Sequence, residues 1–278
     1  MKNIGFIGVG YMGYGIAKNV LRNNHKLYVV ANKNREPIDK IVNDGAEEIE
    51  AIEEFSNKKL DALFMCVTNT PIAKSISEKM IKIIDSKTIV IDITTHSKTG
   101  SIETEEIYKS NNINYIECPV MGGPVQAEEG VLGGIVGGSE DNFKLAEPYL
   151  KMFCKDYFHF GIVGMGAKSK LLNNFLTLGN AALINHAAKS ATKLGLDLKK
   201  FYDVAKLGSG NSAALNRVFD NLLKNDFTGF KFTATNSVKD LTYIQDLLKD
   251  FPEAEKVAEI NKNYFQKAVD DGYGENFI

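Results

Sequence analysis

Cysteine is scarce in this chain. Cys66, Cys118 and Cys154 are the three in 278 residues, widely separated and without CxxC spacing. An odd and scattered set excludes a disulfide framework and a thiolate zinc site. Cys66 and Cys118 sit in apolar runs and read as core thiols in a reducing compartment. Histidine is equally sparse: His25, His96, His159 and His186 show no HxxxH or HExxH spacing, so no metal is expected. No apolar run approaches the ~20 residues that span a bilayer. The opening MKNIGFIGVG is too short and too rich in glycine for the core of a secretory signal. No charge dominates either. With 33 basic against 35 acidic residues the formal net charge is −2, which offers nothing to nucleic acid or to a membrane surface. Doublets such as Glu47-Glu48 and Lys199-Lys200 read as solvated faces. Repeats and low-complexity tracts are also missing. These absences describe a cytoplasmic protein without membrane, nucleic-acid or metal partners.

Apolar material is plentiful: 44% of residues are hydrophobic, enough for a substantial core and for two domains. Five short apolar runs, NIGFIG, KLYVVA, ALFMCV, TIVIDI and INYIEC, punctuate the first half. Amphipathic stretches of helical length lie between most of them, at 13–23, 34–44, 71–84 and 98–110, with Pro37 and Pro71 in first turns. Runs this apolar predict strands buried on both faces, and the alternation predicts a doubly wound α/β domain with a mostly parallel sheet. After Gly166 no strand is evident. One long helix is expected from about 166 to 194, stopped by Gly195, and shorter helices at 199–207, 213–224, 236–250 and 253–270. The expected division is 1–163 for the α/β domain and 164–278 for an all-α domain. A ligand is expected in the crevice between such domains.

GVGYMG, from Gly8 to Gly13, follows the first strand and opens the first helix. In that position a GxGxxG loop has a physical meaning. Gly8 permits the tight turn, Gly10 lets a pyrophosphate approach the backbone, and Gly13 lets the helix pack closely on the strand. Tyr11 and Met12 lie between them in the first helical turn, whose free N–H groups favour phosphate. The second strand ends about twenty residues on, where an NAD site usually carries an acid for the ribose hydroxyl. Here Asn32, Lys33, Asn34 and Arg35 stand there instead. No acid repels a 2′-phosphate and two cations can bind one, so NADP is preferred over NAD.

A second glycine-rich loop, GIVGMGAKSKLLNN at 161–174, leads into the long helix. Asn173 and Asn174 lie three and four residues beyond Lys170, on the same broad face one turn on. Oxidising an alcohol to a carbonyl removes a proton from oxygen and a hydride from carbon. A nicotinamide accepts the hydride, and a positioned group must accept the proton.

Taken together, IGFIGVGYMGYGIAKNV, CPVMGGPVQAEEGVL, the Gly161–Asn174 stretch and SVKDL (Ser237–Leu241) resemble the motifs of the β-hydroxyacid dehydrogenases. The resemblance spans essentially the whole chain. It implies a Rossmann domain, a long interdomain helix and an all-helical domain. It also implies a homodimer or homotetramer and a metal-free NAD(P)-dependent reaction on a small carboxylate substrate. By the same resemblance Lys170 is the general acid and base, with its pKa lowered by burial beside the nicotinamide, and Asn174 binds substrate or orients that lysine with help from Asn173. Gly122 and Gly123 present N–H groups to the substrate carboxylate, next to Met121 where the family usually has serine. Gln126 replaces a further glycine of the motif. Thr95 lies near cofactor and substrate, Val67 near the cofactor, and Lys239 reaches cofactor and substrate from the helical domain. His96, beside Thr95, reads as a loop residue. Two other readings stay open: an imine reductase-like enzyme, whose relatives usually replace the lysine, and a non-catalytic dinucleotide-binding protein.

Overall fold

Apolar runs with β-branched and aromatic residues become strands when both of their faces are covered, and the first half of the chain does this with a sheet between two helical layers. The computed structural model describes residues 1–32, 34–226 and 230–278. The strands are β1 (Asn3–Ile7), β2 (Lys26–Val30), β3 (Glu47–Ile49), β4 (Ala62–Met65), β5 (Ile89–Asp92) and β6 (Asn114–Glu117). They pair in parallel in the order β3-β2-β1-β4-β5-β6. Neighbouring residues of one strand serve opposite layers. Phe64, Ile91 and Ile116 join Ile16, Ala17 and Val20 of α1 (Tyr11–Arg22) in one core. Leu63, Val90 and Tyr115 join a second core. There they meet Met80 of α3 (Thr70–Met80) and Tyr108 of α4 (Gly100–Lys109). Strand order reverses on either side of β1, so the crevice at the carboxyl ends of β1 and β4 is the topological switch point where such sheets take ligands.

Four strands escape the sequence reading, and each for a local reason. β3 is three residues long, two of them glutamate. A second, three-stranded sheet joins β7 (Val120–Met121), β8 (Leu132–Val136) and β9 (Cys154–His159), antiparallel then parallel. β8 carries two glycines, and β9 keeps only Cys154 fully buried, so neither shows the apolar signature of a covered strand. α2 (Glu36–Asn43) lies inside the expected 34–44, but two helices went unread: α5 (Pro124–Glu129) is only six residues and α6 (Glu140–Leu150) contains Pro148, leaving both without a clean period.

The second half is helical. α7 (Met165–Lys193) is followed by α8 (Leu198–Ala205), α9 (Ala213–Leu222), α10 (Ala234–Leu248) and α11 (Pro252–Ala268). Gly195, at φ +73°, closes α7, and the Leu196 N–H returns to the Ala191 carbonyl. Among the described residues no strand follows His159; only an isolated bridge joins Thr233 to Phe277. The chain forms two compact units, Met1–Lys170 and Leu171–Ile278. In the second, Leu178, Ala181 and Ala182 of α7 pack with Leu241 and Ile244 of α10 and Ala258 and Phe265 of α11.

Candidate active site

The loop after β1 is shaped for a group that approaches its backbone. Gly8 has φ +99°, and a Cβ there would collide with the Cys66 carbonyl at the end of β4. A Cβ on Gly13 would collide with the Gly8 carbonyl, so α1 lies tight against the turn. At Gly10 the situation reverses: a Cβ would meet nothing within 4 Å. Gly10 is the N-cap of α1 and supplies no side-chain cap, and no acid occupies the first turn. The arrangement offers open space, uncapped N–H groups and a positive helix end, which fits a dinucleotide pyrophosphate. Tyr11 and Met12 open that helix, with Tyr11 exposed. Val67 follows β4 on the same sheet edge, and its N–H donates to Thr94 Oγ1 at 3.2 Å.

At the end of β2, Asn32 lies just beyond the strand, and Lys33 lies outside the described residues. Arg35 caps α2 and is already engaged. It donates to Glu48 at 2.5 and 3.1 Å and to Asp39 at 2.7 Å. A 2′-phosphate would share or displace these carboxylates, a competition that the pattern of residues did not reveal.

The glycine-rich loop ahead of α7 has a partner that the sequence reading missed. Glu117, at the end of β6, is fully buried. Its carboxylate accepts from the N–H groups of Gly164 at 2.6 Å, Gly166 at 2.9 Å and Ala167 at 3.2 Å. These are the orphan donors at the start of α7, so the carboxylate both satisfies them and meets the positive end of the helix. Side chains at Gly137 and Gly166 would occupy the volume of the Glu117 carboxylate. The glycines therefore do more than turn the chain: they make room for an acid that anchors the helix carrying Lys170.

Burial pushes the Glu117 carboxyl above its ordinary value, and the backbone donors pull it down by less. A carboxyl whose folded-state pKa exceeds its unfolded value favours the fold fully at low pH. That contribution is lost as pH rises through the folded value, at up to about 1.4 kcal/mol per unit. Glu117→Gln cannot titrate. Its stability relative to the parent should therefore climb with pH between the usual carboxylate range and the raised value. Urea unfolding across pH 4 to 8 checks this, and parallel curves would show that Glu117 does not titrate in that window.

Lys170, in the second turn of α7, points its ammonium at the sheet. Nζ donates to the Val120 carbonyl at 2.7 Å and lies 3.5 Å from Met121 Sδ. Met121 thus stands directly beside the lysine. The adjoining Gly122 N–H has no acceptor among the described residues. The Gly123 N–H does have one: Gln126 Oε1 accepts it at 2.9 Å. The two-glycine cradle expected from the sequence therefore offers one unused N–H, with the Gln126 amide closing the other. Thr95 follows β5 on the sheet edge, partly exposed, and its hydroxyl has no partner among the described residues.

In the second unit, Asn174 is buried while Asn173 is exposed. Asn174 Nδ2 donates to Asp240 Oδ2 at 2.6 Å. Lys239 Nζ lies 2.9 Å from Asp240 Oδ1. Asp240, itself fully buried, therefore joins two residues that the sequence had singled out separately. Its only sequence signal was its place in SVKDL.

Among the described residues no cluster of three metal-ligating side chains occurs, and no helix is long and apolar enough to cross a membrane. A cavity of about 1210 Å³ within the second unit is lined by His186, Lys189, Arg217 and Tyr264, among others, and includes none of the candidate site residues.

Comparison with known proteins adds a lineage. Residues 3–163 match the family model described as the NAD binding domain of 6-phosphogluconate dehydrogenase. Residues 164–276 match that described as NAD-binding of NADP-dependent 3-hydroxyisobutyrate dehydrogenase. The chain is 28% identical over 234 residues to 2-(hydroxymethyl)glutarate dehydrogenase of Eubacterium barkeri, covering 81% of this chain and 76% of that protein. It is 28% identical over 240 residues to 2-hydroxy-3-oxopropionate reductase of Escherichia coli, covering 82% and 78%. The crystal structure of 3-hydroxyisobutyrate dehydrogenase from Salmonella typhimurium superposes with a TM-score of 0.88 at 25% identity, over 100% of this chain and 97% of that one.

Proposed function

The chain belongs to the β-hydroxyacid dehydrogenase family, and from that premise we propose that Lys170 is the general acid and base in the interconversion of a small β-hydroxy acid and its carbonyl acid. The protein is an NAD(P)-dependent oxidoreductase acting on hydroxyl groups. A bound nicotinamide supplies or accepts the hydride. Gly8, Gly10, Tyr11, Met12 and Gly13 hold the pyrophosphate, Asn32, Lys33 and Arg35 the adenosine ribose, and Val67 and Thr95 flank the nicotinamide end. In oxidation the Lys170 amine takes the proton from the hydroxyl oxygen; in reduction its ammonium returns a proton to the carbonyl oxygen. The observation that carries this reading is the placement of Lys170: its ammonium is held by the Val120 carbonyl and lies against Met121, the residue before Gly122, whose N–H has no acceptor among the described residues.

That N–H and the Gln126 amide receive the substrate carboxylate, which sets the reacting carbon at the lysine. Met121, where a hydroxyl is usual, gives the pocket an apolar wall and favours a substrate with an apolar substituent at that position. Asn174 orients the substrate with Asn173, and Lys239 contributes a cation to cofactor and substrate. NADP is the preferred cofactor, and the chain assembles as a homodimer or homotetramer in the cytoplasm. The exposed row of Leu172, Leu176 and Leu183 along α7 supports self-association.

Initial rates test this directly. Glyoxylate, succinic semialdehyde, methylmalonate semialdehyde and tartronate semialdehyde are each supplied with NADPH or NADH. One carbonyl acid should be reduced clearly, and faster with NADPH. Glu48→Gln, which loosens the hold on Arg35, should widen the preference for NADPH several-fold, by about 1 kcal/mol. Oxidation of neither cofactor with any acid would count against the reading.

A further inference from the structure

The segment between β5 and α4 carries Thr95 and is held by side chains more than by backbone ladders. Asp92, the last residue of β5, is fully buried, and its Oδ1 accepts the Thr94 N–H at 2.9 Å. Its Oδ2 lies 2.8 Å from His96 Nε2 and accepts the Tyr115 hydroxyl at 3.0 Å. His96 is fully buried too. Its Nδ1 lies 3.2 Å from Thr70 Oγ1, and that same oxygen accepts the Ser97 N–H at 3.1 Å. One tautomer satisfies every partner. With the proton on Nε2, the imidazole donates to Asp92 and accepts from the Thr70 hydroxyl, which in turn accepts from Ser97. The hydrogen bonds then run without a break from Ser97 through Thr70, His96 and Asp92 to Tyr115.

Such a network is an expensive way to fill a core. An apolar filling of the same volume would generally be no less stable. What the network does provide is position. It ties the end of β5 to the first residue of α3 and pins the backbone on both sides of Thr95, at Thr94 and at Ser97. Thr94 Oγ1 then receives the Val67 N–H, which links the loop to the end of β4. Thr95, between two buried residues, is partly exposed, and its hydroxyl has no partner among the described residues. A threonine presented this way is oriented before any ligand arrives, which spares the cost of ordering it on binding.

We propose that the buried Asp92–His96 pair, with Thr70, is a positioning device that fixes Thr95 for the nicotinamide end of the cofactor. His96 is neither a solvated loop residue nor an acid–base catalyst; it acts through the threonine beside it. The inference rests on the reading of Thr95 as a cofactor contact.

The test uses binding by the full chain to NADPH and to 2′-phospho-ADP-ribose, the same molecule without its nicotinamide. Wild type should bind NADPH more tightly. His96→Leu should reduce that advantage about tenfold while its affinity for 2′-phospho-ADP-ribose stays within about threefold. His96→Gln, whose amide can still donate to Asp92, should keep most of the advantage. Thr70→Val, which removes the hydroxyl at nearly constant shape, should lose it as His96→Leu does and covers the case in which the leucine variant does not fold. The proposal is overturned if both variants keep the wild-type ratio, if they weaken the two ligands in parallel, or if wild type binds the two alike. If wild type binds neither ligand, the cofactor reading itself has failed and takes the proposal with it.

Discussion

Lys170→Met should lower kcat about a thousandfold, within the range a positioned acid and base supplies, while affinity for NADPH stays near that of the parent. The substitution keeps an unbranched stem of similar length, so the packing of α7 is preserved. It removes the proton carrier and the bond to the Val120 carbonyl. Loss of turnover without loss of cofactor binding separates chemistry from folding. Lys170→Arg sharpens the result. Arginine remains charged, so it neither takes the proton in oxidation nor gives one up in reduction, and turnover should fall in both directions although the positive charge is kept. Turnover within about tenfold of the parent in a folded Lys170→Met protein would remove the lysine from the mechanism.

Asp240→Ala should destabilise the helical unit by about 3 kcal/mol. The carboxylate is fully buried and binds the Asn174 amide at 2.6 Å and the Lys239 ammonium at 2.9 Å. Its removal takes the acceptor from a buried amide and the paired carboxylate from a partly buried cation. Asp240→Asn keeps an acceptor for Asn174 and should recover about half of the loss. Turnover should fall with both variants, because Asn174 loses its fixed orientation. Chemical unfolding of the full chain, followed alongside kcat, checks both effects. Unchanged stability in Asp240→Ala would show that Asn174 and Lys239 do not depend on this carboxylate.

The parallel sheet was legible because its strands are covered on both sides: Phe64 and Leu63, or Ile91 and Val90, must all be apolar to serve two cores. β9 was not, because Lys155, Asp156 and Phe158 on it are exposed and only one end is covered. Of the cofactor loop, Gly8 and Gly13 could be read from spacing, since close backbone approach forbids a side chain at each. Partnerships across the fold were the part that spacing could not convey. Glu117 stands 47 residues before Gly164, and Asn174 stands 66 before Asp240. Nothing local to either residue announces the contact. Arg35 illustrates the opposite failure. Its charge was visible, but its engagement by Glu48 and Asp39 depends on how β3 and α2 lie beside β2. His96 was correctly placed in a loop, yet only the fold shows that the loop turns it inward.

The measurement that bears most directly on the central claim is the fate of a labelled hydride. NADPH carrying deuterium at the transferring position of nicotinamide C4 is incubated with the carbonyl acid that supports turnover, and the hydroxy acid is analysed by mass spectrometry and NMR. The account predicts one deuterium on the carbinol carbon of each product molecule and none on oxygen-exchangeable or neighbouring positions, with the rate of its appearance lowered about a thousandfold in Lys170→Met. Product without deuterium at that carbon, or deuterium transfer that proceeds undiminished in the lysine variant, would contradict it.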